Sequence, residues 1–330
     1  MLLKKSARGW VCSLALVAGL GAELSAAPSV GLGELAARES TGVAAAYAIK
    51  LTRAVHVGDR YDYVADATLV SSMVANISGR QRTLRPTNVA LHFEAIEHVL
   101  AVNVRGEPSK ATYTVRACTK REGKSQTPFL QCGREVTVEA GRWKSRIELD
   151  GEPITIRDEL VLRAVVSLPS LKDVSLDDAY GSAAPHKAGD SWSANPEALA
   201  RLVSRQGVKV NQHDVSGTVK LRGTQAGEGG ATLLSVYGRA NVQHWTPEAA
   251  DIPKGAKFVD GSDEIKFTKL LPADPNGPCL TDSFSEKATM KVTNADDTIS
   301  PDVAVDVNVL RTTGIKRTPI GHAGEASAGE

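Results

Sequence analysis

Four side chains within a short segment form the densest group of potential metal ligands in the sequence: His92, Glu94, Glu97 and His98. Alternate residues of an extended strand share a face, so His92, Glu94 and His98 lie together. Their spacing differs from the helical His-Glu-x-x-His motif, which sets two imidazoles one turn apart. We therefore interpret the group as the polar outer face of a strand, and the sequence predicts no metal ion or other cofactor.

The segment Asp274-Pro275-Asn276-Gly277 contains residue types that bind calcium, and Asp282 follows it. It lacks the third ligand position and the terminal glutamate of an EF-hand loop. The same four residues form turns readily. The sequence therefore predicts a turn here rather than a calcium site.

Motifs of known catalytic and nucleotide-binding sites do not occur in the sequence. There is no Gly-x-Ser-x-Gly segment, no Walker lysine loop and no dinucleotide-binding fingerprint. Ser, His and Asp are all present, but a catalytic triad is defined by geometry and not by composition. We favour a noncatalytic protein, and the sequence leaves the question of an enzyme open.

Basic residues alternate in two short groups: Arg80, Arg82 and Arg85, and Arg142, Lys144 and Arg146. Binding to nucleic acid requires a positive surface and usually aromatic stacking platforms. The formal net charge is only +1, and aromatic residues make up 5% of the chain. The sequence therefore predicts no nucleic-acid partner.

Residues 1–26 have the three regions of a secretory signal peptide: a basic start, an apolar run from Trp10 to Leu20 and a small, polar end. The apolar run has roughly 11 residues, and a membrane-spanning helix needs about 20. We expect cleavage after Ala26, export to the periplasm or the extracellular medium, and no integral membrane segment after cleavage.

Export implies an oxidising compartment, in which disulfides form. Cys118 and Cys132 flank the polar loop 119–131 and end two neighbouring β-type runs. Adjacent antiparallel strands can bring such Cα atoms within the roughly 4.4 to 6.8 Å that a disulfide requires. We expect a Cys118–Cys132 disulfide with a structural role, while Cys279 could pair with either partner, remain free or link two chains.

Apolar and polar residues alternate with a period of two along most of the chain after the leader. The runs Val89 to Val104 and Ala111 to Cys118 flank the turn-forming segment Arg105-Gly106-Glu107-Pro108 and predict a hairpin. Similar runs follow at Arg134 to Ala140, Val215 to Leu221, Ala231 to Val242, Ala288 to Thr293 and Val303 to Leu310. Antiparallel sheet is the simplest interpretation.

Helix signals are few. Asn195 is a capping residue before Pro196, and Gly207 follows an apolar stripe, so a helix is predicted over residues 196–206. A second helix is predicted over about 157–167, where a buried strand is the alternative. The fold class is therefore mainly β (α+β), with two curved antiparallel sheets or half-barrels and one or two helices between or across them.

A short internal repeat indicates how the chain is organised. The segment Gly58-Asp59-Arg60-Tyr61 recurs as Gly189-Asp190-Ser191-Trp192, and β-rich sequence follows each copy. A Gly-Asp turn that starts a strand and sends an aromatic side chain into the core is a local structural device, and its repetition predicts two related halves. We assign them to residues 45–170 and 185–312, and we expect a disordered tail at 313–330.

The two Gly-Asp-aromatic segments, the hairpin from His98 to Val115 and the tripeptide Ala179-Tyr180-Gly181 together resemble uncharacterised exported proteins of environmental bacteria. The resemblance covers about residues 45–312 and implies tandem curved antiparallel sheets. Its motifs are short and structural, so it implies no activity.

Two functional hypotheses follow for the exported chain. The first is a noncatalytic envelope protein with a structural or protein-binding role, whose partner is an unknown envelope protein. The second is a periplasmic carrier that holds a lipid or other apolar ligand in its curved sheet, because such sites are concave and mostly apolar.

Overall fold

The computed structural model describes residues 45–77, 79–83, 86–141, 145–169, 174–204, 208–227, 230–247, 256–294 and 303–320. The predicted signal peptide, residues 1–26, lies outside the described residues.

Within this part of the chain, eighteen strands form three antiparallel sheets. The strands of the first half are β1 (Ala46–Tyr47), β2 (Arg60–Ile77), β3 (Arg80–Thr83), β4 (Thr87–Val102), β5 (Pro108–Glu122), β6 (Ser125–Leu130), β7 (Glu135–Glu139), β8 (Arg146–Leu149) and β9 (Glu152–Pro153). Those of the second half are β10 (His186–Lys187), β11 (Ser191–Ser193), β12 (Val208–Lys209), β13 (Val215–Ala226), β14 (Thr232–Gln243), β15 (Thr246–Pro247), β16 (Ala256–Pro272), β17 (Thr281–Asn294) and β18 (Val303–Pro319).

The large sheet has 14 strands and consists of two consecutive meanders. The first meander has the order β2-β4-β5-β7-β8-β9, and the second has the order β11-β13-β14-β16-β17-β18. Strands β3 and β6 pair with β2 and β5, and β1-β10 and β12-β15 form two small separate sheets.

Strand β18 pairs with β2 along its full length, from Val303 opposite Ile77 to Pro319 opposite Tyr61. We call this pair the seam. It joins the last strand of the second meander to the first strand of the first, so the two predicted halves share one sheet. The predicted mainly β, antiparallel fold with few helices is confirmed.

Three α-helices are present among the described residues: α1 (Ile156–Leu162), α2 (Leu176–Tyr180) and α3 (Pro196–Ser204). The predicted cap of α3 is formed, since Oδ1 of Asn195 accepts hydrogen bonds from the backbone N–H of Glu197 and Ala198. Helix α1 is shorter than predicted. No described helix is long and apolar enough to cross a membrane.

Helix α2 was not predicted from the sequence. A capping box starts it: Oγ of Ser175 accepts from the N–H of Asp178, and the Asp178 carboxylate accepts from the N–H of Ser175. Two reciprocal bonds at the N-terminus stabilise even this short helix.

Two hydrophobic cores lie on the same face of the large sheet. Along β2, the alternate residues Tyr63 and Ala65 pack in the first core, and Met73 and Ala75, on the same face, pack in the second. Helix α1 and the segment after it cover the first core, whereas α2 and α3 cover the second. The longest strands therefore span both cores.

The aromatic residues fix the centre of each core. In the first core, Tyr63 packs edge-on against Phe93 and Tyr113, with ring centroids 6.1 and 5.1 Å away. In the second core, Tyr180 of α2 packs edge-on against Phe267 of β16, with centroids 4.9 Å apart. Edge-to-face packing adds stability beyond the burial of area.

The C-terminal end of the sheet differs from the prediction. A disordered tail was expected from residue 313, but β18 continues to Pro319 and pairs with β2 throughout. The physical reason is that Thr313 and Ile315 keep the inward alternation of the strand, and both are buried. Residues 321–330 lie outside the described residues.

Candidate functional site

A cavity of about 160 Å³ lies at one end of the seam, between the large sheet and the segments 51–55 and 174–176. We call it the seam cavity. It is smaller than the roughly 300 to 1,000 Å³ of pockets for drug-sized ligands. Eight side chains of its wall carry charge or a thiol: Arg53, Glu97, Arg105, Glu107, Lys269, Cys279, Asp282 and Arg317.

Glu97 of β4 and Arg317 of β18 meet across β2, which lies between their strands. Nε of Arg317 donates to Oε2 of Glu97 at 2.6 Å, and Nη2 donates to Oε1 at 3.3 Å. The hydroxyl of Tyr113 donates to the same Oε1 at 2.9 Å. Burial disfavours the guanidinium, but Glu97 outweighs this effect and raises the pKa of Arg317. Glu97 and Arg317 thus form a buried, bidentate ion pair.

Lys269 of β16 lies directly opposite Asp282 of β17, and Nζ donates to Oδ2 in a buried ion pair. Burial disfavours the ammonium, but the Asp282 carboxylate outweighs this effect and raises the pKa of Lys269. The amine therefore stays protonated and cannot act as a nucleophile or a general base.

Cys279 also lines the cavity, and its thiol donates to the carbonyl oxygen of Thr281 at 3.3 Å. Burial raises the pKa of this thiol above its ordinary value, although the nearby cations oppose the shift. A reactive cysteine requires the opposite shift, because the thiolate is the nucleophile. Cys279 is therefore an unreactive thiol at neutral pH.

Arg53 is 6% exposed, and backbone carbonyls hold its guanidinium. Nη1 donates to the oxygen of Asp274 at 2.7 Å, and Nη2 donates to the oxygen of Pro272 at 2.8 Å. Burial lowers the pKa of Arg53, yet an arginine remains charged in proteins. The Asp274 segment forms the predicted turn, with the N–H of Gly277 donating to the Asp274 oxygen at 3.2 Å.

Helix α2 fixes the chain that carries Arg53. The Asp177 carboxylate accepts from the N–H of Leu51 at 2.6 Å and from the N–H of Thr52 at 3.1 Å. Asp177, at the start of α2, thus has a structural role. It fixes the backbone of the segment 51–55 on one side of the seam cavity.

Four buried side-chain atoms of cavity-lining residues have no hydrogen-bond partner among the described residues: Thr52 Oγ1, Arg53 Nε, Ser167 Oγ and Asp282 Oδ1. A buried polar atom without a partner costs roughly 1 to 3 kcal/mol. Such atoms in native proteins are usually satisfied by ordered water or a ligand. The cavity wall therefore offers both donors and acceptors to a polar guest.

The first Gly-Asp turn precedes β2. Gly58 has a φ of +94°, and Oδ2 of Asp59 accepts from the N–H of His56 at 2.8 Å. The N–H of Gly58 donates to the oxygen of Val99 at 2.9 Å, and the N–H of Val99 donates to the oxygen of Asp59 at 2.9 Å. The turn thus forms hydrogen bonds with both the N–H and the carbonyl oxygen of Val99 in β4.

The second Gly-Asp turn has the same set of bonds. Gly189 has a φ of +96°, and Oδ2 of Asp190 accepts from the N–H of Lys187 at 2.7 Å. The N–H of Gly189 donates to the oxygen of Leu221 at 2.7 Å, and the N–H of Leu221 donates to the oxygen of Asp190 at 3.0 Å. The short sequence repeat is therefore also a repeat of local structure.

The aromatic residues of the two motifs differ in environment. Tyr61 is buried, lines the seam cavity, and donates from its hydroxyl to Oδ2 of Asp59 at 3.0 Å. Trp192 is half-buried and stacks on His186 with centroids 4.0 Å apart. Its Nε1 donates to the oxygen of Tyr180 at 2.8 Å. Only the first motif contributes to the cavity.

The three cysteines of the described residues are free thiols, so the expected Cys118–Cys132 disulfide is not formed in this structure. Cys118 points into the first core and lies opposite Leu130 of β6, whereas Cys132 is exposed beyond the end of β6. Burial raises the pKa of Cys118 to about 12, which makes that thiol unreactive.

The His92 group lies on a strand, with Glu97 on the face opposite His92. The two ring nitrogens of His92 lie 2.8 Å from Oδ1 of Asp66 and 2.8 Å from Oε1 of Glu94. Burial disfavours the imidazolium, but the two carboxylates outweigh it and raise the pKa of His92. Across the described residues, no group of three or more His, Cys, Asp or Glu could hold a metal ion.

Arg53, Lys269 and Arg317 belong to none of the sequence motifs described above. A signal for two of them exists, because Lys269 and Arg317 occupy inward positions in strands where Ile265, Phe267 and Ile315 are apolar. A charge at an apolar position of an alternating strand indicates a buried pair. Arg53 gives no such signal, since its segment is not part of a strand.

No protein-family model and no curated protein sequence matches the chain. Among solved structures, it is similar to OpdL of Pseudomonas aeruginosa, with 7% identity, 79% of this chain and 99% of that one covered, and a TM-score of 0.20. DynF from the dynemicin biosynthesis pathway of Micromonospora chersina has 12% identity, coverage of 88% and 95%, and a TM-score of 0.16. The loop L8 deletion mutant of OmpT, an outer membrane protein of Vibrio cholerae, has 9% identity, coverage of 77% and 99%, and a TM-score of 0.15. Scores this low support no argument about fold or function.

Proposed function

We propose that the protein is an exported, noncatalytic envelope protein that acts by binding, and that the seam cavity is its binding site. The leader-like residues 1–26 support export. The unpartnered polar atoms of the residues that line the cavity support binding, because native proteins usually satisfy such atoms with ordered water or a ligand.

The electrostatics of the cavity support a noncatalytic role. Lys269 is kept protonated by Asp282, and the Cys279 thiol is kept protonated by burial. Glu97 is fixed by Arg317 and Tyr113. Lys269 and Cys279 are thus held in their unreactive forms, and charged groups fixed in this way are well suited to bind and orient a ligand.

The size and lining of the cavity favour a small polar ligand over the lipid of the carrier hypothesis. An engineered cavity of roughly 150 Å³ holds one benzene molecule, so a similar volume has no room for an acyl chain. The apolar inner face of the sheet is covered by the helices and their connecting segments. A lipid would have to displace them.

Native mass spectrometry of the protein purified from its own host tests this proposal. We expect a retained species on the order of 100 Da, and a rise in melting temperature when small polar compounds are added to the emptied protein. Reproducible copurification of a lipid would instead support the carrier. A protein that retains nothing and responds to no small polar compound would contradict the proposed binding site.

A protein-binding role has a separate observation in its favour. Val57 and Val104 are exposed on two loops joined by the bond from the N–H of Val55 to the oxygen of Gly106, and Leu100 is exposed near the end of β4. Exposed apolar residues that cluster mark interaction sites. The change of Val57 and Val104 to Ser should abolish a cross-linked adduct in the native envelope, and the change of exposed Val259 to Ser, which is far along the chain, should not.

A further inference from the structure

The charges of the seam cavity do not balance. Four cations line it, and three have a carboxylate partner: Arg105 with Glu107, Lys269 with Asp282, and Arg317 with Glu97. Arg53 is the fourth. Among the described residues, no carboxylate lies within salt-bridge distance of its guanidinium, although Asp177 and Asp274 are close enough to act on it through space.

A buried charge without a partner is costly, and a counter-ion relieves the cost. Arg53 combines nine-tenths burial with an Nε–H that has no partner among the described residues. Its two other nitrogens are engaged by main-chain oxygens. The remaining N–H is therefore a buried donor on a charged group in the cavity wall, and a charged donor of this kind recognises an oxyanion.

The other unpartnered atoms define the rest of the ligand. Burial raises the pKa of Asp282, and the neighbouring Lys269 opposes this shift. Asp282 is 7% exposed, its Oδ2 accepts from Lys269 in the ion pair, and its Oδ1 is an acceptor that has no partner among the described residues. The hydroxyls of Thr52 and Ser167 can donate or accept. A matching ligand needs an anionic oxygen for Arg53 and a hydrogen-bond donor for Asp282.

We propose that the seam cavity binds a small, singly charged oxyanion that also carries a hydroxyl donor, the chemistry of a short 2-hydroxycarboxylate. The inference rests on the proposed function. The carboxylate accepts from Arg53 and neutralises the excess positive charge, and the hydroxyl donates to Asp282. A zwitterionic amino acid has the same size but brings no net negative charge. Monobasic phosphate shares the oxyanion and hydroxyl chemistry, and the experiment separates it from the carboxylate.

Calorimetric titration of the full-length mature protein tests the ligand class with defined probes. Lactate has both groups, acetate lacks the hydroxyl, propane-1,2-diol lacks the charge, and alanine lacks the net charge. Sodium phosphate is titrated in parallel. We expect lactate to bind roughly tenfold more tightly than acetate or alanine, and the diol not to bind. Phosphate binding tighter than lactate would assign the site to phosphate and overturn the carboxylate assignment.

Variants assign the binding to the cavity. Arg53→Met should weaken lactate binding by roughly tenfold or more, and Ser167→Ala should weaken it by a smaller factor. Arg116→Met is the matched control, because Arg116 forms a half-exposed pair with Asp62 away from the cavity. Where Arg53→Met fails to fold, Arg53→Lys retains a cation without the Nε–H donor and should still weaken binding. Unchanged lactate binding in a folded Arg53 variant would overturn the proposal.

The same data distinguish failure of this inference from failure of the proposed function. Binding of the neutral diol without lactate would overturn the anionic ligand and leave a polar binding site. Binding of no probe, together with no retained species in the protein from its host, would overturn both, and the unpartnered atoms would then be satisfied by water alone.

Discussion

The two Gly-Asp turns have matching hydrogen bonds but lie at different places in the large sheet. The first starts β2, which is paired on both sides by β18 and β4, and the second starts the three-residue edge strand β11. Tyr61 is accordingly buried, and Trp192 is half-buried. A local motif fixes the turn, and the position of its strand in the sheet decides what the motif contributes.

The residues opposite the two aromatic side chains make the contrast sharper. Tyr61 is paired with Glu97 of β4, and Trp192 is paired with Val219 of β13. Both partners are almost fully buried. The first motif thus lies against a buried charge, and the second against an apolar side chain. This difference gives the first motif, and not the second, a place in the seam cavity.

The strongest test makes the first motif resemble the second. In the second meander Val219 pairs with Trp192, so Glu97→Val places the equivalent side chain opposite Tyr61. It leaves Arg317 and the Tyr113 hydroxyl buried without their acceptor, so we expect a loss of about 3 to 5 kcal/mol in the free energy of unfolding. Urea denaturation followed by tryptophan fluorescence measures it.

The double variant Glu97→Val, Arg317→Leu is the matched control for that loss. Replacement of a complete buried pair by apolar residues is often neutral or stabilising. We expect the double variant to recover most of the lost stability. A double variant as unstable as the single one would show that the cost comes from packing around β2 and not from the unpaired charge.

The aromatic residues should differ in the cost of their removal. Tyr61→Ala removes a buried ring and should cost about 3 to 5 kcal/mol, whereas Trp192→Ala at the edge should cost about 1 to 3 kcal/mol. Thermal unfolding monitored by circular dichroism measures both. Equal losses would contradict the contrast between the centre and the edge of the sheet.

The second meander also contains two buried acidic residues, on the face of the sheet that lines the cavity. Asp263 of β16 and Glu286 of β17 are diagonal neighbours, and Arg311 of β18 lies opposite Glu286. Burial raises the pKa of Asp263 to about 6, and burial and then Asp263 raise the pKa of Glu286. Tyr180 of α2 also faces this pair. Arg311 opposes the raised pKa of Glu286, but burial and Asp263 outweigh it.

This pair predicts a stability that depends on pH. A carboxyl whose pKa is raised by folding stabilises the protein below its unfolded pKa of about 4, and that contribution is lost as the pH rises through about 6. Asp263→Asn should therefore match the natural protein at pH 4 and exceed its stability by about 2 to 3 kcal/mol at pH 7. The exposed Asp306→Asn variant is the control. Denaturation series across this range would contradict the assignment if both variants gave the same profile.

Alternation and turn chemistry were sufficient to predict the mainly β fold, helix α3 and the Gly-Asp turns, because these depend on residues close in sequence. The seam could not be predicted, since the pairing of β18 with β2 joins residues more than 200 positions apart. The cavity depends on that pairing. Glu97 was assigned to a polar group around His92, yet its partner Arg317 reaches it only after the seam forms.

The smallest expected effect compares the two turns themselves. Asp59 accepts from the N–H of His56 and from the hydroxyl of Tyr61, whereas Asp190 accepts from the N–H of Lys187. Asp59→Ala should therefore cost about 2 kcal/mol and Asp190→Ala about 1 kcal/mol, by the usual contribution of one hydrogen bond to an ionised acceptor.

A cycle with Tyr61→Phe isolates the extra bond of the first turn. In the natural background Tyr61→Phe removes the hydroxyl, and in the Asp59→Ala background the hydroxyl has already lost its acceptor. The coupling between the two changes should be about 1 kcal/mol. Differences in the midpoint of urea unfolding at constant slope give these values. No coupling would mean that both turns depend on the backbone bond alone, and the difference between Asp59 and Asp190 would then have to arise from the position of their strands.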